Sequence, residues 1–370
     1  MQTKATLCRL ALLLSLAGVA ASQAPKSAEP TIPIEGLDPV LLVQGKEVQG
    51  NEKIFSVRGH YKYIFSSQET KAAFEKNPEP CEVGEYCQRM GAPVTGNPDL
   101  HAEHKGKIYI FGSDDCIKAF KAAPDDFIEP VRPAWSPSSA ETARGQALLD
   151  KAVAAMGGAA ALEQLSSFWE RRLQKIKMRD GSEFDNITEV FRAFPEGLRQ
   201  VQVRRFGTIT TAFSATDGYS QFESEGRSNS RPMGADARER LEIELLRNPV
   251  FLLRSRARAD FRVAAVGSGT AGDVAVEFVN LETRGQRFTL GIEPASGRVV
   301  SLSLVSRGLG GKFGTGQLLF ADYRPAGSLQ LPNRVEATFN GQPWPDFTYT
   351  VTQLEVNKPI SAALFEKPKP

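Results

Sequence analysis

With 45 lysines and arginines against 43 aspartates and glutamates, this 370-residue chain carries a formal net charge of only +2 at pH 7. No strong field therefore draws it to nucleic acid or to an anionic membrane surface. Its apolar content of 41% is ordinary for a folded protein, which excludes disorder and fibrous repeats, and its length predicts two or three domains.

In chain order, Lys4 and Arg9 precede the apolar run from Leu10 to Val19, which is followed by small residues through Ala24. That layout predicts a secretory signal peptide over residues 1–21, cleaved after Ala20 or Ala21. The run is short for a bilayer span, so no transmembrane segment is expected after cleavage. Cys8 lies before the apolar run, so no cysteine stands where a lipoprotein signal needs one. The mature protein is expected to be periplasmic or secreted, with residues 22–34 as a flexible leader.

Every histidine (His60, His101, His104) and every cysteine beyond Cys8 (Cys81, Cys87, Cys116) falls between residues 60 and 116. These side chains bind soft and borderline metals, exchange disulfides and act as nucleophiles near neutral pH, so such chemistry is confined to this segment. In an oxidising compartment three cysteines predict either one disulfide with a thiol left over, or thiolates held by a metal. Cys87 with Cys116 and Cys81 with Cys87 are both open as pairs. Nothing near them resembles a peptidase signature, and no enzymatic activity is expected.

The same segment contains an internal repeat. The stretch from Tyr63-Ile-Phe-Ser-Ser to Pro78 matches the stretch from Tyr109-Ile-Phe-Gly-Ser to Pro124 without a gap, 46 positions later. Each copy predicts a hairpin turned at Gly59 or Gly106, a strand, a serine near the helix N-cap and a short helix stopped by proline. Units this short need each other to bury a core.

Gly36-Leu-Asp-Pro39, Gly45–Gly50, Gly59-His-Tyr-Lys-Tyr63-Ile-Phe-Ser-Ser67, Gly84-Glu-Tyr-Cys87 and Gly106-Lys-Ile-Tyr-Ile-Phe111 together resemble the YHS domain over residues 35–130. That module is associated with metal-handling proteins, and the resemblance implies a metal site. In the metal-handling branch a Cys-x-Met element is followed by Tyr-x-Phe-Cys and a second cysteine four residues on. Here Met90 stands one residue late after Cys87, and Gly112 replaces the first cysteine, leaving Cys116. Aligning the copies places His101 opposite Phe55, Glu103 opposite Val57 and His104 opposite Arg58. Phe55 and Val57 read as core-facing, so His101 and Glu103 are expected inward and His104 outward. The resulting candidate ligand set is Cys87, Cys116 and His101, for zinc or copper.

Three prolines between Glu129 and Pro137 forbid a continuous helix or ladder and predict a linker over 131–140. A capping box at Ser138-x-x-Glu141 then opens a helix whose apolar face is Leu148, Leu149, Ala152, Val153 and Met156, closed by Gly157-Gly158. The rest is strand-like. Val274, Val276 and Phe278 alternate, as do Phe288, Leu290 and Ile292, then Val300, Leu302 and Leu304, then Leu318 and Phe320, and finally Phe347, Tyr349 and Val351. One helix interrupts, from about Asp236 to Leu246, before Pro249. Arg238, Arg240, Arg247, Arg254, Arg256 and Arg258 around it read as a solvated face. The run Gly308–Gly316 fails as a phosphate loop, because Ser306 and Phe313 stand where it needs Gly and Ser or Thr, and reads as a mobile hairpin loop.

The helix ending in Gly-Gly, the strand series, the Thr216-Asp-Gly218 turn, the Pro-interrupted helix, Leu331-Pro-Asn-Arg334 and the tail from Ile360 to Phe365 together resemble the lipoprotein-carrier (LolA/LolB-like) superfamily over residues 141–370. The resemblance implies a half-barrel around an apolar cavity with helices as a lid. The expected fold class is α+β: two hairpin–helix repeats, then a large curved antiparallel sheet with covering helices. The expected function is that of an exported, non-enzymatic protein binding an apolar or lipid ligand. The alternative is a disulfide-stapled interaction or scaffold protein without metal or cavity.

Overall fold

The computed structural model describes residues 29–91, 94–177 and 181–367; the expected signal peptide (1–21) and the start of the leader lie outside them. The chain divides into two compact units, one running to Glu82 and including Lys105–Ile108, the other made of Val83–His104 and Tyr109–Pro370. The division falls within the 35–130 segment, and the Pro-rich stretch 131–140 lies inside the second unit.

The first unit contains α1 (Pro39–Leu42), the antiparallel hairpin β1 (Asn51–Arg58) and β2 (Tyr61–Phe65), and α2 (Gln68–Lys76). Ser67 caps α2 in a reciprocal box with Thr70. The core is aromatic: Phe74 of α2 packs on Tyr63 and Phe65, with ring centroids 4.9 and 5.2 Å away. The face of β1 turns out opposite to expectation, since Phe55 and Val57 are 45% and 47% exposed. Cross-strand partners share a face, and Ser56 pairs with the buried Tyr63; on the other face Val57 pairs with the half-buried Lys62 and Phe55 with Ile64, which is itself buried. The tyrosines of β2 choose the inner face, and Lys62 lies over the outward Phe55 ring at 4.9 Å. Nor is 31–34 a free leader. Thr31 bridges to Tyr61 and Ile34 is buried.

The next hairpin is β3 (Asn97–His104) with β4 (Lys107–Phe111), of which Lys107 and Ile108 are counted with the first unit; α3 (Asp114–Ala122), capped by Ser113, follows in the second. The proline-rich stretch has no regular structure but is strapped down. Arg262 donates to the Trp135 carbonyl at 2.8 Å and Arg287 to that of Pro133 at 3.2 Å, and both guanidiniums lie over the Trp135 ring. Then come α4 (Ser139–Ala155), with the expected box at Ser138 and Glu141, and α5 (Ala159–Glu163).

Six strands follow: β5 (Ser167–Lys177), β6 (Glu183–Ala193), β7 (Gly197–Arg204), β8 (Gly207–Phe213), β9 (Gly218–Ser224) and β10 (Arg227–Pro232). After α6 (Ala235–Leu245) and α7 (Pro249–Arg254) come β11 (Arg262–Ala271), β12 (Val274–Thr283), β13 (Gln286–Ile292) and β14 (Val299–Arg307). The last are β15 (Phe313–Ala326), β16 (Leu329–Phe339), β17 (Gln342–Pro343) and β18 (Tyr349–Val356).

Among the described residues these form one fourteen-stranded sheet ordered β10-β9-β8-β7-β6-β5-β18-β16-β15-β14-β13-β12-β11, with β17 on β16. Its ends, β10 and β11, are neighbours in sequence, so α6 and α7 carry the chain from one sheet edge to the other. Laid flat, those edges would stand about 58 Å apart. At 11 and 6 residues the two helices span only about 26 Å. The curl of this large, unclosed sheet brings its edges toward the crossing helices.

The apolar face is split. One cluster joins Leu148, Leu149 and Val153 of α4 and Val250–Leu253 of α7 to strand residues such as Phe288, Leu290, Leu302 and Phe320. A second, smaller one holds Val190, Leu198 and Phe213, with Leu241 and Leu245 of α6 against it. The expected alternation holds for Phe288, Leu290 and Ile292. In β12 it slips: Val276 is buried, but further along Val279 and Leu281 replace Phe278, where the ladder with β11 bulges between Ala265 and Gly267. Phe347 precedes β18 on a short turn begun by Pro345.

Candidate functional site

Of the three expected ligands, the fold brings two together. Cys87 and Cys116 are both buried in a cluster with Ala102, Phe111, Phe120 and Phe127, and their thiols are hydrogen-bonded. Cys116 stands in the first turn of α3, and the Ser113 hydroxyl donates to its sulfur at 3.3 Å. His101 does not join them. On β3 it is Leu100 and Ala102 that pack into the cluster, while His104 meets the Phe120 ring edge-on at 6.1 Å and holds Asp125 at 2.9 Å. His104, expected to face outward, thus lies against the cluster, while His101 keeps a buried Nδ1 without a hydrogen-bond partner. Among the described residues no three His, Cys, Asp or Glu side chains are grouped to hold a metal ion. Two thiols alone do not fit the donor set of zinc, and the expected zinc or copper site at Cys87, Cys116 and His101 loses its third ligand.

The thiol pair has a polarised environment. Burial, the largest single effect, disfavours the Cys116 thiolate, but hydrogen bonds from Ser113, Cys87 and Arg89, with the Arg89 charge, outweigh it and bring its pKa below the ordinary thiol range. Cys81 behaves oppositely: burial first, then the charges of Asp38 and Glu82, push it up to about 11. Among the described residues all three cysteines are free. In the reduced protein at pH 8, a small alkylating reagent should therefore modify Cys116 well before Cys81. Peptide mass spectrometry over a time course reads the order, and faster labelling of Cys81 would contradict this account.

What holds the Cys87 loop is a feature expected to be mobile. The glycine run between β14 and β15 is docked: Arg307 donates through Nη1 to the carbonyls of Gln88, Arg89 and Gly311, while Arg89 Nε donates to Gly310 at 3.3 Å. Gly311 has φ +87, and a Cβ there would lie 1.6 Å from the Arg89 carbonyl oxygen. Glycine is required for that close approach. Lys312 adds an ion pair to Asp126 at 2.7 Å.

A second site lies where the two apolar clusters of the sheet meet beneath α6. It is a cavity of about 60 Å³ with apolar walls from Val190, Leu198, Leu241, Leu245 and Leu318. Arg172, Gln200, Glu244, Arg247 and Asn248 add polar groups, and Phe347 and Tyr349 aromatic ones. Arg172 is satisfied: it is bound through two nitrogens to the buried Glu170 and lies over the Tyr349 ring at 4.6 Å. Burial raises the Tyr349 hydroxyl to about 12, so it stays protonated. Arg247 stacks over Phe347 at 4.3 Å and donates from Nη2 to Ser306 at 2.9 Å, while its Nε and Nη1 are buried without a hydrogen-bond partner.

The solvated reading of these arginines thus fails for Arg247, and for Arg254, which donates to the Leu162 and Leu165 carbonyls and lies 3.9 Å from the Phe194 ring centroid. In sequence the only hint at Arg247 is its place directly after Leu245-Leu246 and before Asn248-Pro249, where the helix breaks and the chain turns inward.

No family model matches the sequence, and no curated protein does. Among solved structures the chain is similar to a putative outer membrane lipoprotein-sorting protein domain from Vibrio parahaemolyticus, at 9% identity and TM-score 0.39, over 60% of this chain and 97% of that one. It is similar to a LolA superfamily protein from Nitrosomonas europaea, at 13% identity and TM-score 0.39 over 60% and 97%. A DUF1329 family protein from Desulfovibrio piger stands at 11% and 0.38, over 60% and 96%. Likeness at this level leaves ligand and activity to be argued from the chain's own residues.

Proposed function

We propose that this is an exported, non-enzymatic binding protein whose second unit takes up an apolar or lipid ligand between the curved sheet and α6. The observation that carries the reading is the cavity at the seam of the two clusters, closed by a helix whose Leu241 and Leu245 are only half-buried. A space of about 60 Å³ is far below the roughly 300–1,000 Å³ of drug-sized sites. Uptake of a chain therefore requires α6 to lift, which its half-buried face permits more readily than the buried face of α7. The carrier-like sequence features of residues 141–370 support the same reading. The YHS-like reading of residues 35–130 is supported by its motifs and by the two hairpin–helix copies. It supplies no third ligand for a metal, so we assign the first 130 residues no metal-dependent role.

Organic extraction of the purified full chain, followed by mass spectrometry, tests the proposal, together with titration by an environment-sensitive apolar dye. Recovery of an amphipathic molecule near one per protein, or saturable dye binding, is the expected result. A chain with neither is the interaction or scaffold protein, its sheet packed solid.

A further inference from the structure

We propose that the cavity beneath α6 is built for the carboxylate end of an amphipathic ligand, and that Arg247 is the residue that recognises it. The inference rests on the binding reading above and adds the chemistry of the head group.

The argument begins with unanswered donors. A guanidinium carries five N–H groups. At Arg247 the Ser306 hydroxyl accepts from Nη2, and the single hydrogen on Nε and the two on Nη1 point to no acceptor although both atoms are inaccessible to solvent. The rings of Phe347 and Trp344, 4.3 and 5.7 Å from the guanidinium carbon, engage the face of the cation and leave its in-plane donors unserved. Buried donors are satisfied in nearly all folded proteins, so this set calls for an occupant that accepts hydrogen bonds.

Charge narrows the occupant. The other cation of the cavity, Arg172, is neutralised by Glu170. Glu244 also lines the cavity and acts on Arg247 through space, but it is exposed and accepts no hydrogen bond from it. One positive charge is thus left without a bonded partner, which matches a singly charged carboxylate better than a doubly charged phosphate. The surrounding walls are leucine and valine, which suit the first carbons of an alkyl chain rather than a free inorganic anion. Ordered water can also answer buried donors, but water would not make the site prefer an acid to an alcohol.

The test compares decanoate with decanol, two probes of equal chain length, by displacement of the apolar dye from the full-length protein at pH 7.5. Wild type should bind decanoate at least tenfold more tightly than decanol, and Arg247→Met should bring the two within threefold. Equal affinities in wild type would overturn the assignment while leaving the binding reading intact. So would an acid preference that survives in a folded Arg247→Met protein. Binding of neither probe overturns both. The wild-type comparison decides even if the variant fails to fold.

Discussion

Replacing Asp38 by alanine should destabilise the first unit by about 4 kcal/mol, near the limit of what a single substitution does. The side chain is fully buried and accepts five hydrogen bonds: from the amides of Val40, Leu41 and Ser66, and from the hydroxyls of Ser66 and Thr70. It thereby ties the start of α1 to the end of β2 and to the first turn of α2. Each amide left without an acceptor costs about 1–3 kcal/mol, and the hydroxyls recover some of their loss by turning to other partners. Asp38→Asn keeps the shape, but its amide group would face the Ser66 N–H donor to donor, so a loss of about 2 kcal/mol is expected. The tryptophans all lie in the second unit, so the readout is hydrogen exchange. Peptides spanning 51–76 should lose protection while those of β11–β16 keep theirs. Uniform loss across both units would show that Asp38 is not a local clasp.

Asp38 also marks where the sequence speaks and where it falls silent. Asp before Pro is a legible helix start, as are Ser67 and Ser113 before their short helices and Ser138 with Glu141 before α4. Those signals are local, and each is realised. That one carboxylate also serves Ser66 and Thr70 depends on a contact 28–32 residues away, which no local pattern encodes. The faces of β1 and of His104 on β3 differ from expectation for a related reason. Alternation separates two faces without saying which is covered, and the aromatic side chains of the partner strand decide. His101 keeps a buried Nδ1 without a partner, yet among the described residues it is not grouped with the two cysteines, a distance that strand alternation does not encode. The docking of Gly311 on Arg89, 222 positions earlier, is likewise invisible in sequence, where a glycine run reads as slack.

If α6 is the element that admits ligand, the ion pair fastening it should set how readily it lifts. Glu242 on α6 meets Arg192 of β6 at 2.7 Å, and Arg192 is only 6% exposed, donating its other terminal nitrogen to the Pro195 carbonyl. Burial pulls the Arg192 pKa down and Glu242 holds it up. Arg284 reinforces the middle of the helix, 3.8 Å from Glu242 and 2.7 Å from Glu239. Removing one partner of a buried pair leaves an uncompensated charge and costs about 3–5 kcal/mol, whereas replacing both by apolar groups is close to neutral. The Arg192 charge can escape that cost by following α6 outward, so the penalty should appear as local opening rather than global unfolding. Glu242→Ala should therefore speed hydrogen exchange in residues 235–247 by about 100-fold, the equivalent of roughly 3 kcal/mol. Protection in β11–β16 should hold, and uptake of the apolar dye should be faster. The double variant Arg192→Met with Glu242→Leu should restore slow exchange and slow uptake. A fall in global melting temperature with no local change would mean that the pair belongs to the core and that the ligand enters elsewhere. Faster opening without faster uptake would separate the helix from the gate. Only the two changing together ties the buried charge of Arg192 to access to the cavity.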